Sequence, residues 1–99
     1  MECKLDRLSE RTGNFYFEYW NYTYNRPTGI NAEDRHTLYC HTFKKGGEWC
    51  FIINTRQRFI NTVARCLIYN KVKEYLNTYD IAGKVVGDKA FIIDRETFL

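Results

Sequence analysis

The feature that most constrains the fold is an aromatic segment at residues 14–25, NFYFEYWNYTYN. Seven of the ten residues in 15–24 carry an aromatic ring. Aromatic and β-branched side chains suit a pleated, half-buried surface, so this segment predicts a long β-strand. Because successive side chains point to opposite faces of a strand, the segment also predicts two faces that are both rich in rings.

The two predicted faces differ in polarity. One begins with Phe15 and Phe17, whose rings carry no polar group, and we expect it to face the core. The other combines tyrosine hydroxyls with an indole, a mixture that suits a half-hydrated contact surface. An alternative is that these rings flank the core and only direct their polar atoms to water. On the first interpretation, the partner-binding residues are Tyr16, Trp20, Tyr22 and Tyr24.

Length and composition predict one small domain over residues 1–99 with a modest core. No apolar run approaches the ~20 residues that cross a bilayer, and the first ten residues contain no hydrophobic signal region. We therefore expect a cytoplasmic protein in a reducing compartment, without membrane contact. The four cysteines match no zinc spacing, so we expect buried thiols and no metal.

The segments around the aromatic strand predict further elements. Residues 1–12 predict a short helical turn ended by Gly13. Residues 25–35 predict a surface loop, which is the first candidate for a loop that contacts a partner. Residues 36–43 and 48–54 predict a hairpin joined through residues 44–47. A loop of residues 44–46 places Cys40 opposite Cys50, and a loop one residue longer places it opposite Phe51. In either register we expect Tyr39, Phe43, Trp49, Phe51 and Ile53 on one face, and Leu38, Cys40, Cys50 and Ile52 on the other.

Residues 55–79 predict the main helix, because apolar residues recur there at steps of three and four. Residues 84–86 and 89–94 predict a last hairpin turning at Gly87 and Asp88, and residues 95–99 a tail. The expected fold is therefore α+β, with an antiparallel sheet of about four to five strands and one long amphipathic helix packed on one face.

A basic region begins near the predicted helix. Residues 49–73 contain no carboxylate but five cationic side chains, and two of them fall in the first turn, where backbone N–H groups favour anions. This pattern predicts an anion or nucleic-acid site formed by Arg56, Arg58, Arg65, Lys71 and Lys73. Alternatively, the first two arginines pair with acidic residues such as Glu33, Asp34 or Asp94. The order of a short helix, three strands and a helix with a basic start also resembles the double-stranded RNA-binding domain, although the lysine-rich helix motif of that family is absent.

The sequence contains no constellation typical of an enzyme. Cys40 and His41 are neighbours on a predicted strand and point to opposite faces, and Gly46 and Gly47 form a hairpin turn rather than a phosphate-binding loop. We therefore expect neither catalysis nor a cofactor. The preferred hypothesis is an accessory or inhibitory interaction protein, of a type that viruses also encode, which binds a protein partner or forms a homodimer through its aromatic face. The alternative is a nucleic-acid-binding protein.

Overall fold

Two β-sheets and three helices form the structure, a computed structural model that describes residues 2–32, 38–69 and 71–99. The first sheet has the strand order β1-β4-β5 and the second the order β3-β2-β7-β6. The predicted α+β class is therefore confirmed. In chain order the elements are β1 (Glu2–Asp6), α1 (Ser9–Thr12), β2 (Asn14–Asn21), β3 (Arg26–Pro27), a 3-10 turn (Gly29–Asn31), β4 (Leu38–Lys45), β5 (Glu48–Thr55), α2 (Arg56–Ile68), β6 (Val72–Ile81), β7 (Lys84–Asp94) and α3 (Arg95–Phe98).

The first strand is not predicted by the sequence pattern. β1 pairs in parallel with β4, with Cys3 opposite Cys40, so the first sheet is mixed rather than antiparallel. Its partner lies more than thirty residues along the chain, and a short, charged segment carries no local signal for so distant a pairing. Of the helical turn predicted within residues 1–12, only α1 is helical. Gly13 ends it as expected, with φ of 72° and its N–H donated to the Ser9 carbonyl.

The hairpin between β4 and β5 adopts neither of the two predicted registers. Lys45 pairs with Glu48 across a two-residue turn in which Gly46 and Gly47 have φ of 58° and 80°. Cys40 therefore lies opposite Ile53. This register reverses the expected grouping of side chains, because Phe43 shares a face with Cys50 while Trp49, Phe51 and Ile53 lie on the other face. Residues 33–37, which belong to the predicted loop at 25–35 and the predicted strand at 36–43, lie outside the described residues.

The predicted long helix is wrong in its second half. α2 ends at Ile68, and residues 72–81 form β6, which pairs along its whole length with β7. The chain turns between these strands at Ala82 and Gly83, with φ of 51° and 78°, and not at Gly87, which lies inside β7. Val72, Tyr75 and Tyr79 have the spacing of a helical stripe, but β-branched and aromatic residues also favour strands, and pairing with β7 decides between the two.

The core lies between the two sheets, with α2 and α3 closing it. Phe15 and Phe17 are fully buried, as the alternation along β2 predicts. Phe98, predicted to lie in a tail, packs its ring 5.5 Å from the Phe15 ring because Asp94 caps a short helix there. β2 and β4 belong to different sheets, so the arrangement departs from the three-stranded sheet of the double-stranded RNA-binding domain. Other core residues are Ile30, Tyr39, Phe43, Phe59, Val63, Cys66 and Ile93.

None of the helices within the described ranges combines the length and the apolar character needed to cross a bilayer.

Candidate interaction surface

The outer face of the first sheet, which is turned away from the core, exposes five large apolar side chains. We call this set the apolar face, and all three strands contribute to it. The exposed fractions are 45% for Leu5, 43% for Leu38, 54% for Trp49, 67% for Phe51 and 45% for Ile53.

The register of the strands makes this surface continuous. One row across the sheet runs from Leu5 through Thr42 to Phe51, because Leu5 pairs with Thr42 and Thr42 with Phe51. The next row runs from Cys3 through Cys40 to Ile53. Neighbouring strands lie ~5 Å apart, so side chains in one row are in contact range. Trp49 precedes Phe51 by two residues on the same face of β5, and Leu38 precedes Cys40 by two on the same face of β4. The five apolar side chains therefore share one face in neighbouring rows and form a patch.

One end of the apolar face is basic. Lys44 pairs with Trp49, and its Nζ lies 5.8 Å from the Trp49 ring centroid. Arg7, Glu10 and Lys44 line a concavity of about 420 Å³ together with Leu5 and Trp49. The carboxylate of Glu10 already accepts the Gly47 N–H at 2.9 Å. Within the described part of the chain, neither Arg7 nor Lys44 forms an ion pair, so both charges remain available to a ligand.

The aromatic residues predicted to bind a partner do not share one strand face. A β-bulge shifts the register between Glu18, which pairs with Ala90, and Trp20, which pairs with Lys89. Because Ala90 and Lys89 are consecutive on β7, the bulge separates Tyr16 from Trp20 onto opposite faces. β2 ends at Asn21, so Tyr22 and Tyr24 lie beyond it.

These four rings also differ in their surroundings. The Tyr16 hydroxyl donates to Asp88 at 2.7 Å, and burial together with this hydrogen bond raises the pKa of Tyr16. Lys89 lies over the Tyr22 ring, whereas Tyr24 is largely exposed beneath the guanidinium of Arg26. The Tyr16 side chain is thus fixed by its hydrogen bond within the protein, and Tyr24 is the most exposed of the four rings.

The five predicted anion-binding cations are spread over the molecule. Arg56 is buried, donates to the Gly29 carbonyl and lies 5.2 Å from the Tyr39 ring centroid. Arg58 is exposed at the helix start, where the Thr55 hydroxyl already accepts its backbone N–H at 3.2 Å. Arg65 lies in the last turn of α2, and Lys71 and Lys73 follow the helix. The fold therefore does not gather them into one site at the helix start.

A histidine and a carboxylate meet inside the core. Asp6 Oδ2 lies 3.2 Å from His41 Nε2, and both side chains are almost fully buried. Burial alone would raise the pKa of Asp6, but the His41 contact and two backbone N–H donors outweigh it and lower that pKa. The rings of Phe15, Phe17 and Phe43 pack against the imidazole. Within the described ranges, no three His, Cys, Asp or Glu side chains converge to hold a metal ion.

Sequence reasoning missed the apolar face because it depends on the hairpin register. The alternation of Trp49, Phe51 and Ile53 with Cys50 and Ile52 was visible, but it leaves open which set is buried. A two-residue turn at Gly46 and Gly47 was the signal that could have resolved it.

Comparisons with models of known protein families, with curated protein sequences and with solved structures found no match for this chain.

Proposed function

We propose that this protein is a non-enzymatic interaction module that binds a protein partner through the apolar face. The observation that carries the proposal is the continuous patch around Trp49, Phe51 and Ile53, which exposes large side chains on a rigid, three-stranded support. Exposed patches of this kind mark interaction sites, and tryptophan is among the residues that contribute most to binding. Such a module acts as an accessory or inhibitory factor and needs no cofactor.

The charges beside the patch favour a partner that combines apolar and acidic residues. Arg7 and Lys44 stand at one end of the apolar face without ion-pair partners among the described residues. A second copy of the chain would bring the same two cations, and its nearby Glu10 is engaged with Gly47. A different protein, with a carboxylate next to its apolar anchors, fits these charges better than self-association through this face.

Single-stranded nucleic acid is the second candidate, because Trp49 and Phe51 are exposed rings beside Lys44. Bases stack on such rings, and cations follow the phosphate backbone. However, three of the five side chains in the apolar face are aliphatic, and among the described residues two unpaired cations, Arg7 and Lys44, flank it. This composition favours a protein partner.

Selection from a displayed library of random peptides tests the proposal. We expect enrichment of peptides that combine apolar residues with Asp or Glu, and at least a tenfold loss of their affinity in Trp49→Ser with Phe51→Ser. Tyr24→Ser, an exposed ring outside the apolar face, is the matched control and should retain binding. Unchanged affinity in the double variant would overturn the proposal, as would failure of the selection.

A short oligothymidylate provides the nucleic-acid arm of the same experiment. Salt-sensitive binding that the double variant abolishes, without peptide enrichment, would replace the protein partner with a nucleic acid.

A further inference from the structure

The free edge of the second sheet is formed by β6. This strand is the last in the order β3-β2-β7-β6 and pairs only with β7 among the strands that the structure describes. It has ten residues, contains no proline and pairs with β7 without a register shift. Edge strands that remain unpaired are usually interrupted by prolines, bulges or short length, because their free N–H and C=O groups otherwise recruit another strand.

The turn geometry identifies which backbone groups point outward. Ile81 pairs with Lys84 across a two-residue turn with positive φ at both central residues, the type I′ pattern in which the flanking residues hydrogen-bond to each other. The N–H and C=O of Ile81 therefore face β7. Because these directions alternate along a strand, the even-numbered residues of β6 direct their backbone groups away from β7.

Gly87 supports this assignment independently. Its N–H donates to Thr23 at 3.1 Å, and its carbonyl accepts the Tyr22 N–H at 2.7 Å, so both groups face away from β6. Its partner on β6 is Thr78, an even-numbered residue. A residue pair whose groups face away from each other is a non-hydrogen-bonded pair, so the backbone groups of Thr78 point to the free edge.

We infer that β6 pairs with β6 of a second copy of this chain, antiparallel about Leu76, to join two four-stranded sheets into one. A twofold axis perpendicular to the sheet leaves every side chain of the second copy on the same face of the sheet as its counterpart. Because even- and odd-numbered side chains point to opposite faces, even-numbered residues must oppose even-numbered residues. Centring the pair on Leu76 places Glu74 opposite Thr78 and aligns residues 72–80 of both copies. Every outward backbone group in that range then has a partner.

Charge and strand length favour the register centred on Leu76 over the two registers shifted by one residue. Centring the pair on Asn77 would place Glu74 opposite Asp80 at two positions, and opposed like charges destabilise a strand pair. Centring it on Tyr75 would leave Asp80 beyond the end of the opposing strand. Centring it on Leu76 opposes no like charges and places Lys73 opposite Tyr79, where a cation can lie against a ring.

The exposed side chains of β6 agree with burial in such a dimer. Leu76 is 56% exposed and would lie at the twofold axis against its own copy. Tyr75 and Tyr79 are also exposed, on the opposite face of the strand. Pairing of the two edges would bury part of each of these side chains without moving either hairpin.

Solution mass measured by light scattering tests the inference. We expect a dimer for the natural sequence and a monomer for Thr78→Pro, which removes an outward N–H and leaves the pairing with β7 intact. Leu76→Lys, which opposes two charges at the axis without changing the backbone, should also give a monomer. Val85→Lys is the matched control, since Val85 is an exposed residue of β7, and it should remain a dimer.

Two outcomes would overturn the inference: a monomer for the natural sequence up to millimolar concentration, or dimers for both β6 variants with native circular dichroism spectra. The result is separable from peptide binding. Trp49→Ser with Phe51→Ser should remain dimeric while losing peptides, and Leu76→Lys should bind peptides as a monomer. Loss of the dimer in the Trp49 and Phe51 variant alone would assign self-association to the apolar face instead.

Discussion

Asp6 and His41, on the paired strands β1 and β4 of the first sheet, form a buried contact of 3.2 Å between Oδ2 and Nε2. Asp6 ends β1 in the first sheet, yet the same oxygen accepts the N–H of Tyr16, in the second sheet, at 3.0 Å. Its other oxygen accepts the Leu8 N–H at 3.3 Å. One carboxylate thus aligns β1, β2 and β4 at the point where the sheets meet.

Asp6→Asn should destabilise the fold. The amide keeps one acceptor oxygen but loses the charge opposite His41 and one of the two side-chain oxygens that accept backbone N–H groups. A buried group left without its partner costs about 2–4 kcal/mol. Urea unfolding at neutral pH measures the difference. Asp80→Asn, at an exposed position, should change stability by less than ~0.5 kcal/mol.

The contribution of Asp6 to the free energy of unfolding should also depend on pH. Its pKa is lowered in the folded state, so its stabilisation is complete above the unfolded value of about 4 and is lost as pH falls through the folded pKa. The difference in unfolding free energy between the natural protein and Asp6→Asn should therefore narrow in acid. A difference that grows below pH ~4 would contradict the geometry.

Ile52→Ala and Phe51→Ala test the register of the β4–β5 hairpin. Ile52 packs against the core, so its truncation should cost about 2–3 kcal/mol. Phe51 is 67% exposed, and its truncation should cost less than ~1 kcal/mol despite the larger side chain. Thermal or urea unfolding distinguishes the two, and the reverse order would mean that the opposite face of β5 is buried.

Gly87→Ala should destabilise the second sheet. Gly87 has φ of 109°, and a Cβ there would lie 2.0 Å from the carbonyl oxygen of Asn77. Strain and contact together should cost at least ~2 kcal/mol. Gly46→Ala is the control, because Gly46 has φ of 58° but open space around it, and should cost only ~1 kcal/mol. Equal losses of unfolding free energy in Gly87→Ala and Gly46→Ala would mean that β6 does not pass beside Gly87.

Arg56→Ala and Arg58→Ala separate a structural arginine from a ligand-binding one. Arg56 is buried against Gly29 and Tyr39, so its removal should cost about 2–3 kcal/mol. Arg58 is exposed, and its removal should leave stability within ~0.5 kcal/mol. Unfolding with and without added phosphate measures both effects. Stabilisation by phosphate that Arg58→Ala abolishes would restore the predicted anion site.

Several elements of the fold follow from local sequence. Phe15 and Phe17 point to the core because alternation along an aromatic strand allows only two faces, and one of them lacks polar groups. Gly13 ends α1, and Gly46 with Gly47 places the first hairpin, because these residues adopt positive φ without steric penalty. The start of α2 is equally local, since Thr55 caps it.

Tertiary pairing decided the rest. Residues 72–81 have a spacing that fits a helix or a strand, and β7 selects the strand by supplying backbone partners along its whole length. β1 forms because it pairs with β4 and because Asp6, at its end, contacts His41 in the core. Nothing in residues 2–6 specifies that distant pairing. The apolar face depends on a shift of register in one hairpin, which moves Trp49, Phe51 and Ile53 from one side of the sheet to the other. Local sequence thus specifies β2, β4, β5, the start of α2 and the turns at Gly13 and at Gly46 with Gly47, because alternation, caps and glycines act over a few residues. β1, β6 and the exposure of Trp49, Phe51 and Ile53 depend on the pairing of distant strands, which no local pattern encodes.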